Sequence, residues 1–166
     1  MSWTVRPARP RDAAAIAETV QLGFDGYREI GGPGWEPPDA RAPDEIARVR
    51  ARLEAPGTWA AVAEDGGRVA GHAGYFPQPA VPGSVHLWQL FVRPPWWGSG
   101  LAGELLGGAV RAAAAEGYTR MRLFTPRDQA RARAFYEREG FAWTGWEFYE
   151  PPLALTLVEY ARDPLG

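Results

Sequence analysis

The sequence predicts an α/β domain whose central sheet is mixed, with about seven strands flanked by about four helices. Three observations predict it. Strand-like runs and helix-period runs follow one another in the order strand, two helices, three strands, helix, strand, helix, two strands. The turn signal Asp65-Gly66-Gly67 joins two neighbouring strand runs, so at least one pair is antiparallel within a strand-and-helix alternation. The 166 residues, 46% hydrophobic and without cysteine, suffice for one core that needs no covalent staple, so residues 1–166 read as a single domain.

Each element has a local cause. Trp3 to Arg6 is a short strand. Pro10-Arg11-Asp12 opens a helix whose apolar positions Ala14, Ile16, Ala17, Val20 and Phe24 fall on one face. The run Gly31-Gly32-Pro33-Gly34-Trp35-Glu36-Pro37-Pro38 cannot continue a helix and is expected to be a mobile loop. A second helix spans about Asp44 to Leu53. Strands follow at Thr58 to Glu64, Val69 to Phe76 and His86 to Val92, the last halted by Pro94-Pro95. A long helix carries Leu101, Leu105, Ala109, Val110 and Ala113 at helical spacing and stops at Gly117. A strand at Arg120 to Thr125, a helix at Ala130 to Glu139 closed by Gly140, and strands at Trp143 to Tyr149 and Leu153 to Tyr160 complete the chain.

Composition excludes several functions. The formal charge is -2 with no lysine and no basic tail, which argues against a nucleic-acid partner held by phosphate neutralisation. Without cysteine there is no thiolate metal site and no cysteine nucleophile, and His72 and His86 are the only imidazoles, so no metal is expected. No segment has the ~20 apolar residues of a membrane span, and none near the amino terminus resembles a signal peptide, so a cytoplasmic location is expected.

The most informative stretch runs from Leu87 to Gly103. A strand enters a glycine-rich turn, Gly98-Ser99-Gly100, that opens a helix, so backbone N–H groups collect at the positive end of the helix dipole and suit a phosphate. Gly98, Gly100 and Gly103 also satisfy the dinucleotide pattern GxGxxG. In that fold, however, the glycines follow the strand directly and an acid ends the next strand, whereas here prolines intervene and Glu116 ends the helix.

This stretch resembles the phosphate turn of the GNAT superfamily of N-acetyltransferases, Gln/Arg-x-x-Gly-x-Gly/Ala. Trp97-Gly98-Ser99-Gly100-Leu101-Ala102 occupies it, with Trp97 where the family carries Gln or Arg. The segment Gln129-Ala130-Arg131-Ala132-Arg133-Ala134-Phe135-Tyr136, continued by Gly140-Phe141, is similar to the family's second motif, with Gln129 in place of Asn. The resemblance spans nearly the whole chain. It implies a GNAT-like fold and acetyl-CoA as cosubstrate. It implies that Leu90, Phe91 and Val92 pair with the pantetheine arm, and that Trp97, Gly98, Ser99, Gly100, Leu101, Ala102, Gly103 and Gln129 surround the cofactor.

The resemblance also implies direct transfer to an amine within a ternary complex, with Phe91 or Val92 supplying an N–H to the thioester carbonyl. Tyr136 is the candidate general acid, because a phenol is protonated at neutral pH and can donate to a departing thiolate. The general base is open among His86, Glu147, Glu150, Glu29, Glu36 and a chain of water. His72, within an apolar strand, is expected to be a satisfied sheet residue. The acceptor is expected between the first interhelical loop and the last strand turn, where Tyr27, Trp35 and Trp146 gather with Phe24, Phe148 and Tyr149. With Glu29, Glu36 and Glu150 nearby, such a pocket suits a cationic, partly apolar small-molecule amine. Trp59, Trp88 and Trp143 are expected to fill the sheet faces. Trp96 and Trp97 pack on the CoA arm, cover the helix entrance or mediate a homodimer, and Trp3 has no assigned role. Two other readings stay open: a CoA-binding regulatory domain without catalysis, and a transferase for another acyl group.

Overall fold

The computed structural model describes residues 2–166. Its elements are β1 (Thr4–Pro7), α1 (Ala13–Gly26), α2 (Pro43–Glu54), β2 (Trp59–Asp65), β3 (Arg68–Pro77), β4 (Ser84–Val92), α3 (Leu101–Ala115), β5 (Arg120–Pro126), α4 (Ala130–Arg138), β6 (Ala142–Glu150) and β7 (Leu155–Arg162), with short 3₁₀ turns before and after α1 and before α3. Among the described residues the strands form one seven-stranded sheet in the order β1-β2-β3-β4-β5-β7-β6. Every neighbouring pair is antiparallel except β4 and β5, which are parallel. The sheet is therefore mixed, as the sequence predicts.

The helices fall on both faces. Ile16 and Val20 of α1 and Val49 of α2 bury against Val62, with Trp88 and Phe91 packed on them. On the opposite face Leu106, Ala109, Val110 and Ala113 of α3 meet Tyr75, Val85, Met121, Leu123, Val158 and Tyr160, and α4 adds Tyr136. Burying each such Leu, Val or Met side chain contributes about 1.5–3 kcal/mol, so these two layers supply most of the stabilisation. Small residues let α3 approach closely: a Cβ on Gly71 would lie 2.8 Å from the Phe91 carbonyl and 3.3 Å from Leu105. Arg6 ties β1 to the start of α1 and to β2, donating to Asp12 at 2.9 Å and to Glu64 at 2.7 Å. Its guanidinium holds the Asp12 carboxyl below the usual carboxylate range.

Three expectations need correction. β4 begins at Ser84, two residues earlier than expected, because Ser84 and Gln78 close a turn through Ser84 Oγ–H to Gln78 Oε1 (2.9 Å) and Gln78 N–H to the Ser84 carbonyl (2.9 Å). β7 begins at Leu155, not Leu153, because Ala154 takes a left-handed φ of 52° in a turn that it closes by donating to the Glu150 carbonyl. Trp143 does not fill a sheet face. It is 47% exposed on the edge strand β6, with the Arg133 guanidinium 5.1 Å from its ring.

The sheet opens at its centre. β4 and β5 pair only at Ser84–Arg120, Val85–Met121 and His86–Arg122. Beyond that point β5 stays on β7 as far as Pro126–Leu157, while β4 stays on β3 as far as Val92–Gly71. A register shift opposite Gly74 and Tyr75 leaves Trp88 as an extra residue in β4. Such a bulge bends and twists its strand, which turns β4 away from β5.

Candidate functional site

The opening exposes backbone groups in a defined alternation. Arg93 N–H donates to the Ala70 carbonyl at 2.8 Å, and the register runs without a break through Gly71–Val92, His72–Phe91 and Ala73–Leu90. Antiparallel pairs alternate between bonded and non-bonded, so Phe91 turns its N–H and carbonyl toward β3 while Leu90 and Val92 turn theirs toward the opening. Of the two candidates for a free N–H at the reacting centre, the geometry therefore favours Val92 over Phe91. The Val92 carbonyl already accepts the indole N–H of Trp97 at 2.7 Å, and the Trp97 ring is 51% exposed.

The turn after β4 is held by the other tryptophan of the pair. Trp96 is buried, donates its indole N–H to Asp65 at 2.8 Å and lies under the Arg68 guanidinium. It locks the turn to the β2–β3 hairpin. Gly98 and Gly100 then adopt φ of 74° and 92°, and among the described residues, their chain neighbours aside, no atom lies within 4 Å of where a Cβ would stand on either. At the start of α3 the first intrahelical bond runs from Glu104 N–H to the Gly100 carbonyl, and Leu101 N–H goes to Ser99 Oγ at 3.3 Å. Helix geometry leaves the N–H groups of Ala102 and Gly103 without an intrahelical acceptor. These donors, the dipole and two unobstructed glycines make a cradle that an anion can approach closely. Trp3 finds a role here, donating its indole N–H to Glu104 of this first turn at 2.9 Å.

Across the opening lies α4. Gln129 stands at its N-cap position and makes no side-chain cap bond. Tyr136, nearly two turns on, is 8% exposed and packed by Phe135, Phe141 and Tyr160. Among the described residues its hydroxyl has no hydrogen-bond partner. Burial raises its phenol above the usual range, and the phenol of Tyr27 at the end of α1 raises it further. Tyr27 is itself pushed up to about 12 by burial. α1 and α4 pack on opposite faces of the sheet, yet Tyr27 lies near enough for its charge to be felt at Tyr136.

The loop between α1 and α2 is tethered rather than mobile. Trp35 donates its indole N–H to the Leu153 carbonyl at 2.9 Å, Arg28 pairs with Glu36 at 2.9 Å, and buried Gln21 accepts from Ala40 N–H at 2.8 Å. Trp35 thus reaches the turn between β6 and β7. Trp146 lies elsewhere, stacked on Phe148 at 4.8 Å and edge-on to Phe124 at 5.7 Å. The structure brings Tyr27 beside Phe24, at 5.9 Å, but joins no Trp35 ring to Trp146 among the described residues.

The candidate bases are mostly engaged. Glu36 is taken by Arg28, and Glu147 lies 3.8 Å from Arg127. His86 Nδ1 accepts from Arg122 Nε at 3.1 Å, so its proton sits on Nε2, and burial with the Arg122 and Arg52 cations pushes it down to about 4. Glu29 is exposed beside Tyr27, and Glu150 is half-buried at the end of β6. His72 is only half satisfied: its Nε2 meets Gln89 Oε1 at 2.8 Å, and its buried Nδ1 has no partner among the described residues.

Sequence reasoning missed two features. Arg93 ends β4 by donating to Thr19 at 2.8 Å and to the Ala15 carbonyl at 2.9 Å, fixing the strand to α1. Arg52 of α2 lies 3.9 Å over the Phe76 ring, next to His86. An arginine in the last turn of a helix before a strand is a weak signal, and only the fold places it there.

No curated protein matches the chain. Solved structures match it over its full length. An N-acetyltransferase from Staphylococcus aureus superposes with a TM-score of 0.77 at 20% identity, covering 100% of both chains. The yncA protein of Salmonella typhimurium, solved with acetyl-CoA, gives 0.75 at 22% identity, covering 98% of this chain and 94% of its own. The PaiA N-acetyltransferase of Thermoplasma acidophilum, solved with coenzyme A, gives 0.72 at 16% identity, covering 98% and 99%. At such identities these likenesses speak to the fold. The sequence profile of the Acetyltransferase (GNAT) family matches residues 24–141, from the end of α1 through the second motif, and the chain therefore belongs to the GNAT acetyltransferase family.

Proposed function

We propose that this protein moves an acetyl group from acetyl-CoA to a primary amine of a small molecule, by direct transfer while both are bound. The observation that carries the reading is the unpaired edge of β4, which leads straight into a turn whose Gly98 and Gly100 leave an open approach to free N–H groups. Two structural neighbours were solved with CoA or acetyl-CoA, which supports this ligand for the cradle.

The residues present fit it. Leu90 and Val92 offer backbone groups to an extended arm, Gly98, Ser99, Gly100, Leu101, Ala102 and Gly103 offer N–H groups and space to phosphates, and Gln129 offers an uncommitted amide. Trp97 stands at the mouth and must release the Val92 carbonyl if the arm is to use it. When bound, acetyl-CoA supplies an activated acyl group and a thiolate leaving group. The C–N bond forms as the C–S bond breaks, and two protons must move. Tyr136 donates its hydroxyl proton to the sulfur and is reprotonated from solvent, while the amine proton leaves through water. Val92 N–H stabilises the negative charge on the acyl oxygen. Tyr27, with Trp35 and Trp146 on the flanking loop and strand, orients the acceptor.

Thiol release from acetyl-CoA with a panel of primary amines tests the proposal. Turnover that collapses in Tyr136→Phe with CoA binding retained is the expected result. CoA binding without turnover on any amine would instead favour a binding domain, consistent with Trp97 covering Val92.

A further inference from the structure

Between α2 and β4 lies a cavity of about 460 Å³, lined by Glu45, Arg48, Val49, Arg52, Trp88 and Gln89 among others. Its charges do not cancel. Glu45 and Arg48 pair at 2.9 Å, one turn apart on α2. Arg52 has no carboxylate within ion-pair distance among the described residues, and no protein acceptor takes its N–H groups. Its guanidinium is held instead over the Phe76 ring at 3.9 Å, half-buried, with His86 behind Phe76 at 5.3 Å. His86 adds no charge, since its Nδ1 receives Arg122 and its ring is neutral above about pH 4. The cavity thus carries one net positive charge, on a planar fork with its donors free.

Gln89 lines the cavity from β4. It precedes Leu90, whose backbone faces the opening between β4 and β5. Gln89 is also fixed: its Oε1 accepts from buried His72 at 2.8 Å, which leaves the amide N–H groups to what enters the cavity. Val49 and Trp88 add apolar lining.

On the reading that this protein acetylates amines, we infer that its acceptor is an amino acid in the chemical sense, an amine that also bears a carboxylate, and that Arg52 receives that carboxylate in this cavity. A single free guanidinium matches a monoanion. A phosphate dianion would want a second unpaired cation, and Arg48 is committed to Glu45. A molecule in the cavity sets its carboxylate on Arg52, within reach of further donors from the Gln89 amide, and its apolar body on Trp88, with its amine directed toward the opening. Bidentate recognition of a carboxylate by a stacked arginine is specific, because lysine lacks the fork.

The test uses the CoA-loaded protein and a panel of the common α-amino acids, β-alanine and 4-aminobutyrate, each paired with its carboxamide. Calorimetry reads binding, and thiol release from acetyl-CoA reads transfer. The expected result is that at least one acid binds at least tenfold tighter than its carboxamide. Arg52→Gln is expected to bring that pair within about twofold and to leave CoA binding unchanged, and Arg52→Lys to recover only part of the preference. The inference is overturned if no acid exceeds its amide by tenfold, or if the preference survives in Arg52→Gln. Acid-selective binding without thiol release would support the anion subsite and sink the transfer reading. Thiol release without acid preference would do the reverse.

Discussion

The indole N–H of Trp35 donates to the carbonyl of Leu153 at 2.9 Å, so the loop between α1 and α2 is latched onto the turn between β6 and β7. The contact spans 118 positions of sequence and joins the two segments expected to frame the acceptor. The loop folds tightly under the ring: a Cβ on Gly31 would lie 2.3 Å from Trp35. Trp35→Phe keeps an aromatic ring and removes the donor. A neutral hydrogen bond contributes about 1 kcal/mol net, so the acceptor KM is expected to rise about fivefold with kcat little changed. Trp35→Ala is expected to raise it further. Steady-state thiol release read against acceptor concentration decides, and an unchanged KM in both variants would exclude Trp35 from the acceptor pocket.

Tyr136 offers a sharper test. Its phenol is buried, lacks a partner among the described residues and is raised above its ordinary value by burial and by Tyr27. It is therefore protonated throughout the range in which an enzyme is assayed, as a proton donor must be. Tyr136→Phe fills the same space, so folding and CoA affinity are expected to hold while kcat falls ~10²–10⁴-fold. Unfolded tyrosine ionises near 10 and the folded residue above that, so the folded state retains the proton longer and stability falls as pH rises past 10. Below that pH the kcat profile of the parent protein is expected to show no ionisation from Tyr136. A tyrosine-dependent alkaline limb under pH 10 that vanishes in Tyr136→Phe would contradict its assignment as a fully protonated donor.

Acid stability is predicted to depend on the two histidines. His72 is pushed down to about 4 by burial, and His86 to about 4 by burial and by Arg122 and Arg52, against 6.5 for both when unfolded. As pH falls from 6.5 toward 4 the unfolded chain takes up protons that the folded chain refuses, so stability is lost in that window. For fully sealed His72 the loss is ~3 kcal/mol. Asp12, depressed by Arg6, acts separately, and its contribution goes only below the ordinary carboxylate value of 3.8. Urea midpoints measured from pH 7.5 to 4.5 are expected to slope downward, and His72→Gln to flatten that slope whatever it does to the midpoint at neutral pH. A slope that His72→Gln leaves intact would refute this.

Much of the fold is legible in the amino-acid sequence, because the periods of 2 and 3.6 are local properties and the punctuation is strong. Pro10-Arg11-Asp12, Asp65-Gly66-Gly67 and Gly117 mark their boundaries without help from distant residues. The turn of Gly98 and Gly100 is legible for the same reason. The opening between β4 and β5 is not, since it depends on where two strands 36 positions apart cease to pair, and on Trp88 being an unpaired residue. Arg52 is illegible too. Nothing near it in the chain distinguishes it from Arg48 or Arg50, and its meaning arises from Phe76 and His86 on two other strands. Trp143 shows the converse error. Its size suggests a core, but the edge position of β6 leaves it half in solvent.

Two glycine substitutions separate the cradle from the helix that follows it. Gly100 has φ of 92° at the start of α3, and a Cβ there would meet nothing within 4 Å. Gly100→Ala therefore creates no clash in the free protein but forces a left-handed alanine, which costs roughly 1–2 kcal/mol. The new methyl also occupies the open space through which an anion reaches the free N–H groups of Ala102 and Gly103. CoA affinity is expected to fall at least tenfold, with a drop in Tm of several degrees. Gly108, two turns into the same helix, has no left-handed φ, and its Cβ would rest in ordinary contact with the Trp59 ring at 3.8 Å. Gly108→Ala is expected to raise stability by roughly 0.5–1 kcal/mol through helix propensity and to leave CoA affinity unchanged. Calorimetric titration of CoA into both variants, beside their melting curves, reads the two effects independently. If Gly100→Ala melts lower yet binds CoA as tightly as the parent protein, the turn is a structural hinge and the phosphates are held elsewhere.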